Sequence, residues 1–327
     1  MRGKIAIEEH FALDETLEDP VSQFPRQFWD ELRDRMIDLH DRRLRLMDQH
    51  GIEMMVLSLN APAVQRILDP IVAADLAERA NDFLAEEVAK RPDRFQGIAA
   101  LPMQDPEGAT REIERAVKDL GFRGALVNGF SQAHDPDSML FYDLPQYRPF
   151  WQAIEALNVP FYLHPRNPLP SQARIYEGHP WLVGPAWAFA QETAVHALRL
   201  MGSGLFDAYP RLQIVLGHLG EGLPYSIWRV DNCNAWVQPR HDYPANKAIS
   251  DYFRENFYVA TSGNFSTQAL IEALLQVGAE RIMFAADWPF ENIDHAAGWF
   301  DRVPISEADR LKIGRSNAIS LFGLDLT

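Results

Sequence analysis

Eight short apolar segments, separated by amphipathic stretches, constrain the fold of this chain more than any other feature. Each segment has the length of a β-strand, and most are continuously apolar, as strands covered on both faces are. The segments are 5–11, 53–60, 95–102, 122–128, 159–165, 212–220, 256–263 and 281–289. This spacing predicts a parallel β-sheet whose strands are joined by right-handed helical crossovers.

The stretches between these segments predict the helices that such crossovers need. Apolar residues recur near helical spacing over 30–50, and Gly51 marks the expected end of that helix. Asp105 is the expected N-cap of another helix that begins with Pro106 and ends before Gly121. Further helices are predicted over 71–90, 190–209, 266–277 and 306–322.

Eight strand–helix units predict an α/β fold of the closed (β/α)₈ type, the TIM barrel. An open doubly wound sheet is the alternative, but it would require a glycine-rich phosphate-binding turn early in the chain, and none follows the first strand. Because such barrels commonly exceed about 250 residues, we expect one domain over residues 1–327. Two long connections, 12–30 and 165–190, leave the C-terminal ends of strands. They are expected to cover a site or to form a subunit interface.

Charge and cysteine content restrict the partners and the compartment. The chain has 46 acidic and 31 basic residues, a net charge of −15, which argues against a nucleic-acid surface. Cys233 is the only cysteine, so no intramolecular disulfide can form and a reducing cytoplasm is the expected location. No apolar run approaches the ~20 residues that span a bilayer, and we expect neither a membrane contact nor a signal peptide.

Charged and imidazole side chains stand where several predicted strands end. In the first segment, KIAIEEHF, Glu8 and His10 are two residues apart and point to the same side, whereas Glu9 points away. The others are His164, His218 and Asp287, which end the fifth, sixth and eighth strands. A single histidine at a strand end is commonly structural, but the C-terminal ends of barrel strands share one face. Carboxylates gathered there would repel each other without a cation, so the pattern predicts a divalent metal such as zinc, manganese or iron.

The order of elements resembles the amidohydrolase superfamily of metal-dependent barrel enzymes over nearly the whole chain. The motifs LGHLGEGLPY and DWPFEN resemble its decarboxylase branch, which includes aminocarboxymuconate-semialdehyde decarboxylase. Within that branch, KIAIEEHF and FYLHPRNPLP are similar to the γ-resorcylate (2,6-dihydroxybenzoate) decarboxylases. Many amidohydrolases begin instead with His-x-His and bridge two metals with a carboxylated lysine. Here the pair is Glu8-x-His10 and no lysine ends a strand, which leaves a site for one metal ion.

The resemblance implies a ligand set and a reaction. One divalent ion, Zn²⁺ or Mn²⁺, would be bound by Glu8, His10, His164 and Asp287. The implied reaction is the reversible, non-oxidative decarboxylation of an ortho-hydroxybenzoate. The first expectation is 2,6-dihydroxybenzoate to resorcinol and CO₂, ahead of 2,3-dihydroxybenzoate and salicylate. The subgroup also implies a homo-oligomer, a dimer or a tetramer.

The resemblance further implies catalytic roles near the metal. Asp287 is the expected proton donor, poised by His218 and Glu221, with His218 itself as the alternative donor. A carboxylate three residues after a histidine can orient and charge its imidazole. Four further residues are candidates for substrate contact, although each has a structural role as an equal alternative. They are Phe24 and Phe290 against the ring, Asn128 at the distal hydroxyl, and Arg229 in PYSIWRVD.

Two other functions fit parts of the pattern. A hydrolase of a lactone or cyclic amide would use the same metal to activate water, with Asp287 as base. Glu8 in the first position and the missing bridging lysine count against this alternative. A non-catalytic binding or scaffold protein is the third candidate, because a fold does not determine its function. The complete set of candidate ligands argues against it.

Overall fold

The strands of the protein correspond to the eight predicted segments, with one additional hairpin. A computed structural model describes residues 1–17, 26–236 and 243–326. The strands within these ranges are β1 (Lys4–Phe11), β2 (Ile52–Leu59), β3 (Phe95–Gly97), β4 (Ala125–Asn128), β5 (Ser131–Ala133), β6 (Asp135–Leu140), β7 (Phe161–His164), β8 (Ile214–Leu216), β9 (Phe257–Ala260) and β10 (Ile282–Met283). The added hairpin, β5–β6, lacks the apolar pattern by which the other strands were predicted.

The eight remaining strands are parallel and close into a barrel. One run of neighbours is β1–β2–β3, and the other is β4–β7–β8–β9–β10. A parallel bridge between Ala99 and Ala125 joins the two runs. The first and last strands meet through the N–H of Ile7, which donates to the carbonyl of Phe284 at 3.2 Å. The predicted TIM barrel is therefore confirmed, and the open-sheet alternative is wrong because β1 and β10 are joined.

Helices fill the connections and cover the outside of the barrel. They are α1 (Arg26–Ile37), α2 (Arg42–His50), α3 (Pro70–Lys90), α4 (Pro106–Lys118), α5 (Arg148–Leu157), α6 (Ala188–Gly202), α7 (Leu205–Ala208), α8 (Leu223–Trp236), α9 (Ile249–Asn256), α10 (Thr267–Val277), α11 (Ile293–Arg302), α12 (Glu307–Leu311) and α13 (Asn317–Phe322). No helix among the described residues is long and apolar enough to cross a membrane. That residues 1–327 form one domain stays a prediction.

Three predicted helices are interrupted in the structure. The helix expected over 30–50 is divided into α1 and α2, because the Asp38 carboxylate accepts the N–H groups of Asp41 at 2.9 Å and Arg42 at 2.7 Å. Such a carboxylate satisfies the open donors of a new helix and so begins one. The helix over 190–209 breaks before Gly204, whose φ of 72° is left-handed. A π-helical turn, Lys312–Ser316, separates α12 from α13.

The interior of the barrel is packed with side chains below the C-terminal ends of the strands. Ile5, Ile7, Tyr162 and Val215 belong to this buried cluster, which α13 closes from below. The pairing of β1 with β2 shifts register between Ala6 and Glu9. Such a bulge re-aims side chains at the rim of a barrel. Neighbouring side chains on a regular strand point to opposite faces. Here Ile7 packs inside the barrel, and the adjacent Glu8 also points inward, where it accepts a hydrogen bond from the hydroxyl of Tyr162.

Candidate metal centre

Four side chains from two strands and one loop converge at the C-terminal end of the barrel. Glu8 and His10 come from β1, His164 ends β7, and Asp287 follows β10. All four are buried, and each offers one ligand atom within 4.8 Å of the others. Imidazole nitrogen and carboxylate oxygen lie about 2 Å from zinc or a similar ion, so ligand atoms of one ion are a few ångströms apart. Their arrangement therefore fits a site for one divalent ion.

The hydrogen bonds of these residues leave the inward atoms without partners. Glu8 Oε1, His10 Nε2 and Asp287 Oδ1 are buried and accept or donate no hydrogen bond within the described part of the chain. His10 Nε2 lies 3.4 Å from Asp287 Oδ1, and His164 Nε2 lies 3.4 Å from Glu8 Oε1. Buried polar atoms are normally paired, so this cluster of exceptions requires an occupant. A divalent cation fits it, because it satisfies both carboxylates and both imidazoles.

The electrostatics of the site also suit a cation. Burial raises the pKa of Glu8, although His218 opposes the shift, and the nearby Asp287 carboxylate raises it further. Burial and the neighbouring His10 hold the pKa of His164 well below its usual range. His164 is therefore a neutral imidazole, the form that binds metals.

Glu9 points away from the cluster and holds the backbone on both sides of Asp287. Glu9 Oε1 accepts the N–H of Ala286 at 2.8 Å, and Oε2 accepts the N–H of Trp288 at 3.1 Å. Asp287 itself has a φ of 60°, a left-handed conformation that is costly for a residue with a side chain. The two consecutive glutamates thus act on the same site from opposite sides: Glu8 faces the cluster, and Glu9 fixes the loop that carries Asp287.

The buried guanidinium of Arg43 supports this arrangement from outside the barrel. Burial raises the pKa of Glu9 to about 8, and the adjacent guanidinium of Arg43 opposes that rise. Arg43 also donates to the carbonyl of His10 at 2.6 Å. Arg43 therefore ties α2 to the end of β1, where the cluster begins.

His218 and Glu221 form a hydrogen-bonded pair beside the cluster. His218 Nδ1 lies 2.7 Å from Glu221 Oε1, and His218 Nε2 lies 3.6 Å from Asp287 Oδ2. Burial alone would lower the pKa of His218, but the carboxylates of Glu221 and Asp287 raise it well above its usual value. The motif GHLGE places this pair through a tight loop in which His218, Leu219 and Glu221 all have left-handed φ values, between 52° and 57°. The imidazole is therefore held in one orientation, with a proton available next to Asp287.

A cavity opens next to this pair. It has a volume of about 280 Å³ and is lined by His218, Tyr225, Asn264 and Glu272, among others. The side chain of His218 is 21% exposed, whereas that of Glu8 is fully buried. His218 thus connects the buried cluster to solvent.

The four candidate substrate residues have different positions. Asn128 pairs with His164 across β4 and β7, and its buried Oδ1 has no partner among the described residues. The Phe290 ring lies edge-on to His10, with 5.5 Å between the ring centroids. Arg229 lies on an exposed face of α8 and forms no hydrogen bond or ion pair with the buried cluster. Phe24 lies outside the described residues.

Three further residues bind the candidate ligands directly, and the sequence patterns assigned them no role. Ser58 Oγ lies 3.2 Å from His10 Nδ1 and so turns the other ring nitrogen toward the cluster. Tyr162 and Ser262 both donate hydrogen bonds to Glu8 Oε2. Tyr162 precedes His164 by two residues on β7, so it shares the inward face of that strand. That spacing is the one local signal that could have identified it.

Comparison with known proteins places the chain among metal-dependent decarboxylases. The family described as amidohydrolase matches residues 10–324. The γ-resorcylate decarboxylase of Polaromonas sp. (strain JS666 / ATCC BAA-500) is 66% identical over 325 residues, which cover 99% of this chain and 100% of that protein.

Two solved structures have almost the same fold. One is a dihydroxybenzoic acid decarboxylase from Polaromonas sp. JS666 with bound manganese and the inhibitor 2-nitroresorcinol. It is 66% identical, with a TM-score of 0.97, and the match covers 100% of this chain and 98% of that one. The other is a 2,6-dihydroxybenzoate decarboxylase complexed with 2,6-dihydroxybenzoate. It is 65% identical, with a TM-score of 0.97, over 99% of this chain and 100% of that one.

Proposed function

We propose that this chain, which belongs to the amidohydrolase family, is a metal-dependent decarboxylase of ortho-hydroxybenzoates. It converts 2,6-dihydroxybenzoate to resorcinol and CO₂ in a reversible, non-oxidative carbon–carbon lyase reaction. The observation that carries this proposal is the buried group of two carboxylates and two imidazoles, in which Glu8 Oε1, His10 Nε2 and Asp287 Oδ1 have no hydrogen-bond partner among the described residues. It occurs in a chain that is 66% identical to a γ-resorcylate decarboxylase over nearly its full length.

We propose Glu8, His10, His164 and Asp287 as the ligands of one divalent ion. Manganese is favoured because it is bound in a related structure, and zinc suits the same donor set. When bound, the ion acts as a Lewis acid that orients the substrate and eases ionisation of its ortho hydroxyl. The remaining steps depend on side chains of this chain.

The chemical difficulty is to avoid an aryl carbanion when the carboxylate leaves. An ionised ortho hydroxyl donates electrons to the ring carbon that bears the carboxylate, and that carbon can then accept a proton. When the C–C bond breaks, its electron pair returns to the ring and CO₂ departs. A proton donor positioned at this carbon is therefore the main requirement for catalysis.

We propose that His218 and Asp287 supply this proton together. His218 Nε2 is 3.6 Å from Asp287 Oδ2, close enough for transfer after a small movement, and Glu221 fixes the imidazole from its other nitrogen. In this scheme His218 holds the proton at rest, and Asp287 Oδ2 passes it to the ring carbon. The exposed edge of His218 in the adjoining cavity supports reprotonation from solvent after each turnover.

The substrate ring is proposed to pack against Phe290, with its distal hydroxyl at Asn128, and a contact of the ring with Phe24 stays a prediction. Phe290 is 38% exposed, so part of its face is available for a ligand. Asn128 Oδ1 is a buried acceptor to which no group in the described part of the chain donates, as a site for a phenolic hydroxyl requires. A contact of Arg229 with the substrate stays a prediction.

The chain is also proposed to act as a homo-oligomer, a dimer or a tetramer, in the cytoplasm. Large aromatic side chains on α8 are exposed, among them Tyr225, Trp228 and Trp236, with 69–85% of their surface accessible. Exposed aromatic surface of this kind is typical of subunit interfaces. The single cysteine is compatible with a reducing compartment.

The direct test is turnover of 2,6-dihydroxybenzoate by protein loaded with Mn²⁺. We expect loss of the substrate absorbance and stoichiometric formation of resorcinol, measured by chromatography. Chelator-treated protein should be inactive and should recover when Mn²⁺ is restored. Absence of turnover with every ortho-hydroxybenzoate tested, together with hydrolysis of a lactone, would replace this proposal with the hydrolase alternative.

Replacing Asn128 with alanine should reduce activity selectively for substrates with two ortho hydroxyls. The variant loses the acceptor Oδ1, and a neutral hydrogen bond contributes about 1 kcal/mol, so kcat/KM for 2,6-dihydroxybenzoate should fall roughly fivefold relative to salicylate. Salicylate lacks the second hydroxyl and serves as the internal control. An equal loss for both substrates would mean that Asn128 acts only through the structure of β4.

A further inference from the structure

We propose that Tyr162 and Ser262 form a cradle that holds Glu8 as a one-oxygen ligand, with Oε2 occupied by the protein and Oε1 presented to the ion. This inference deepens the proposed function, because it rests on the metal centre described above. Tyr162 and Ser262 are positioning residues: neither is placed to contact substrate, and both act through Glu8.

The hydrogen bonds of Glu8 are divided unequally between its two oxygens. Oε2 accepts short hydrogen bonds from the hydroxyl groups of both Tyr162 and Ser262. Oε1 has no hydrogen-bond partner among the described residues and lies 3.4 Å from His164 Nε2. All three members of the cradle are buried, with at most 1% of their surface exposed, so water does not compete for these bonds. The protein therefore fixes which oxygen faces the cluster.

Ser262 also determines the direction of its bond to Glu8. The backbone N–H of His218 donates to Ser262 Oγ at 3.1 Å. A backbone N–H can only donate, so this contact uses a lone pair of the serine oxygen and leaves its single hydrogen for another partner. That partner is Glu8 Oε2, which accepts it. One serine thus connects the loop that carries His218 to the carboxylate of Glu8.

Gly217 provides the space that the cradle requires. A Cβ atom at this position would lie 2.8 Å from Glu8 Oε2 and 3.0 Å from Ser262 Oγ, which is closer than side-chain carbons approach such atoms. Any other residue at position 217, directly after β8, would displace the carboxylate or the hydroxyl. Gly217 is therefore required by the position of the Glu8 carboxylate, although the two residues are 209 positions apart in the sequence.

The test is the affinity for Mn²⁺ of Tyr162→Phe and Ser262→Ala, measured by titration against a competing chelator. Each variant removes one hydroxyl and keeps most of the packing. Loss of a hydrogen bond to a ligand commonly weakens metal binding by about 10–100-fold, and we expect that range for each variant. Tyr142→Phe is the matched control, because it removes another buried tyrosine hydroxyl, bonded to Ser131 Oγ at 3.0 Å, and should leave Mn²⁺ affinity unchanged.

The outcomes separate positioning from general stability. If Tm of the metal-free variants falls but their Mn²⁺ affinity equals that of the wild type, the hydroxyls are structural and the inference is wrong. If either variant fails to fold, the other decides the question alone. Metal affinity is measured without substrate, so weakened binding would support the cradle even if the wild type failed to decarboxylate 2,6-dihydroxybenzoate.

Discussion

Replacing His218 with asparagine is expected to reduce kcat by roughly 10²–10⁴-fold while leaving about one Mn²⁺ bound per chain. The magnitude is that of a missing general acid. Asparagine retains a polar side chain near Glu221 but cannot hold an exchangeable proton at neutral pH. The metal should remain, because the four proposed ligands are unchanged. His218 is not one of these ligands, and its Nε2 lies 4.0 Å from Glu8 Oε1.

The measurement is kcat together with metal content of the same preparation. His179→Asn is the control, because His179 is an exposed residue in the long connection after β7 and has no place in the proposed mechanism. It should retain wild-type activity. Full activity of His218→Asn would remove His218 from the proton path and leave Asp287 as the sole donor. Loss of the metal in that variant would instead make His218 a ligand.

The strands could be predicted because each one is a local pattern. A parallel barrel buries both faces of its strands, so every strand is a short apolar run that can be recognised without knowing its neighbours. The chemistry of the strand ends was visible for the same reason, since Glu8, His10, His164 and Asp287 interrupt otherwise apolar runs. The convergence of these four side chains could be predicted as well, because the C-terminal ends of the strands of a closed barrel share one face.

The residues that orient these ligands could not be predicted in the same way. Ser262 contacts Glu8 across 254 positions of sequence, and nothing in the segment NFYVATSG distinguishes this serine from one that ends a strand. Glu9 fixes the backbone of a loop 277 positions away, at Ala286. Alternation along β1 indicates that Glu9 points away from Glu8, but its partner depends on how β1 and β10 meet. Such contacts are properties of the closed barrel rather than of any segment.

The predicted helix boundaries were wrong where a side chain accepted backbone N–H groups in place of the helix carbonyls. The apolar spacing over 30–50 continues through Asp38, yet its carboxylate accepts two backbone N–H groups and starts a second helix. Aspartate is favoured at such positions because its short side chain reaches the open donors of the first turn. The division matters for the site, because α2 then carries Arg43 to the end of β1, where it donates to the carbonyl of His10 and its charge acts on Glu9.

Replacing His164 with alanine should abolish stoichiometric binding of Mn²⁺ and, with it, nearly all decarboxylation. The remaining ligands would include two carboxylates and one imidazole, with an opening where the second imidazole stood. In the wild type, Mn²⁺ at 100 times its dissociation constant should stabilise the fold by about 2.7 kcal/mol and raise Tm. The His164→Ala variant should show no such rise.

His196→Ala provides a control with similar burial, because His196 is fully buried and accepts the backbone N–H of Tyr142 at 3.1 Å. Both variants remove a buried imidazole and should lower Tm without metal by a comparable amount. Only His196→Ala should keep the rise in Tm on addition of Mn²⁺, since it lies outside the cluster. If His164→Ala keeps that rise as well, the ion does not bind to His164. The function of the buried cluster would then have to be explained by the remaining three residues.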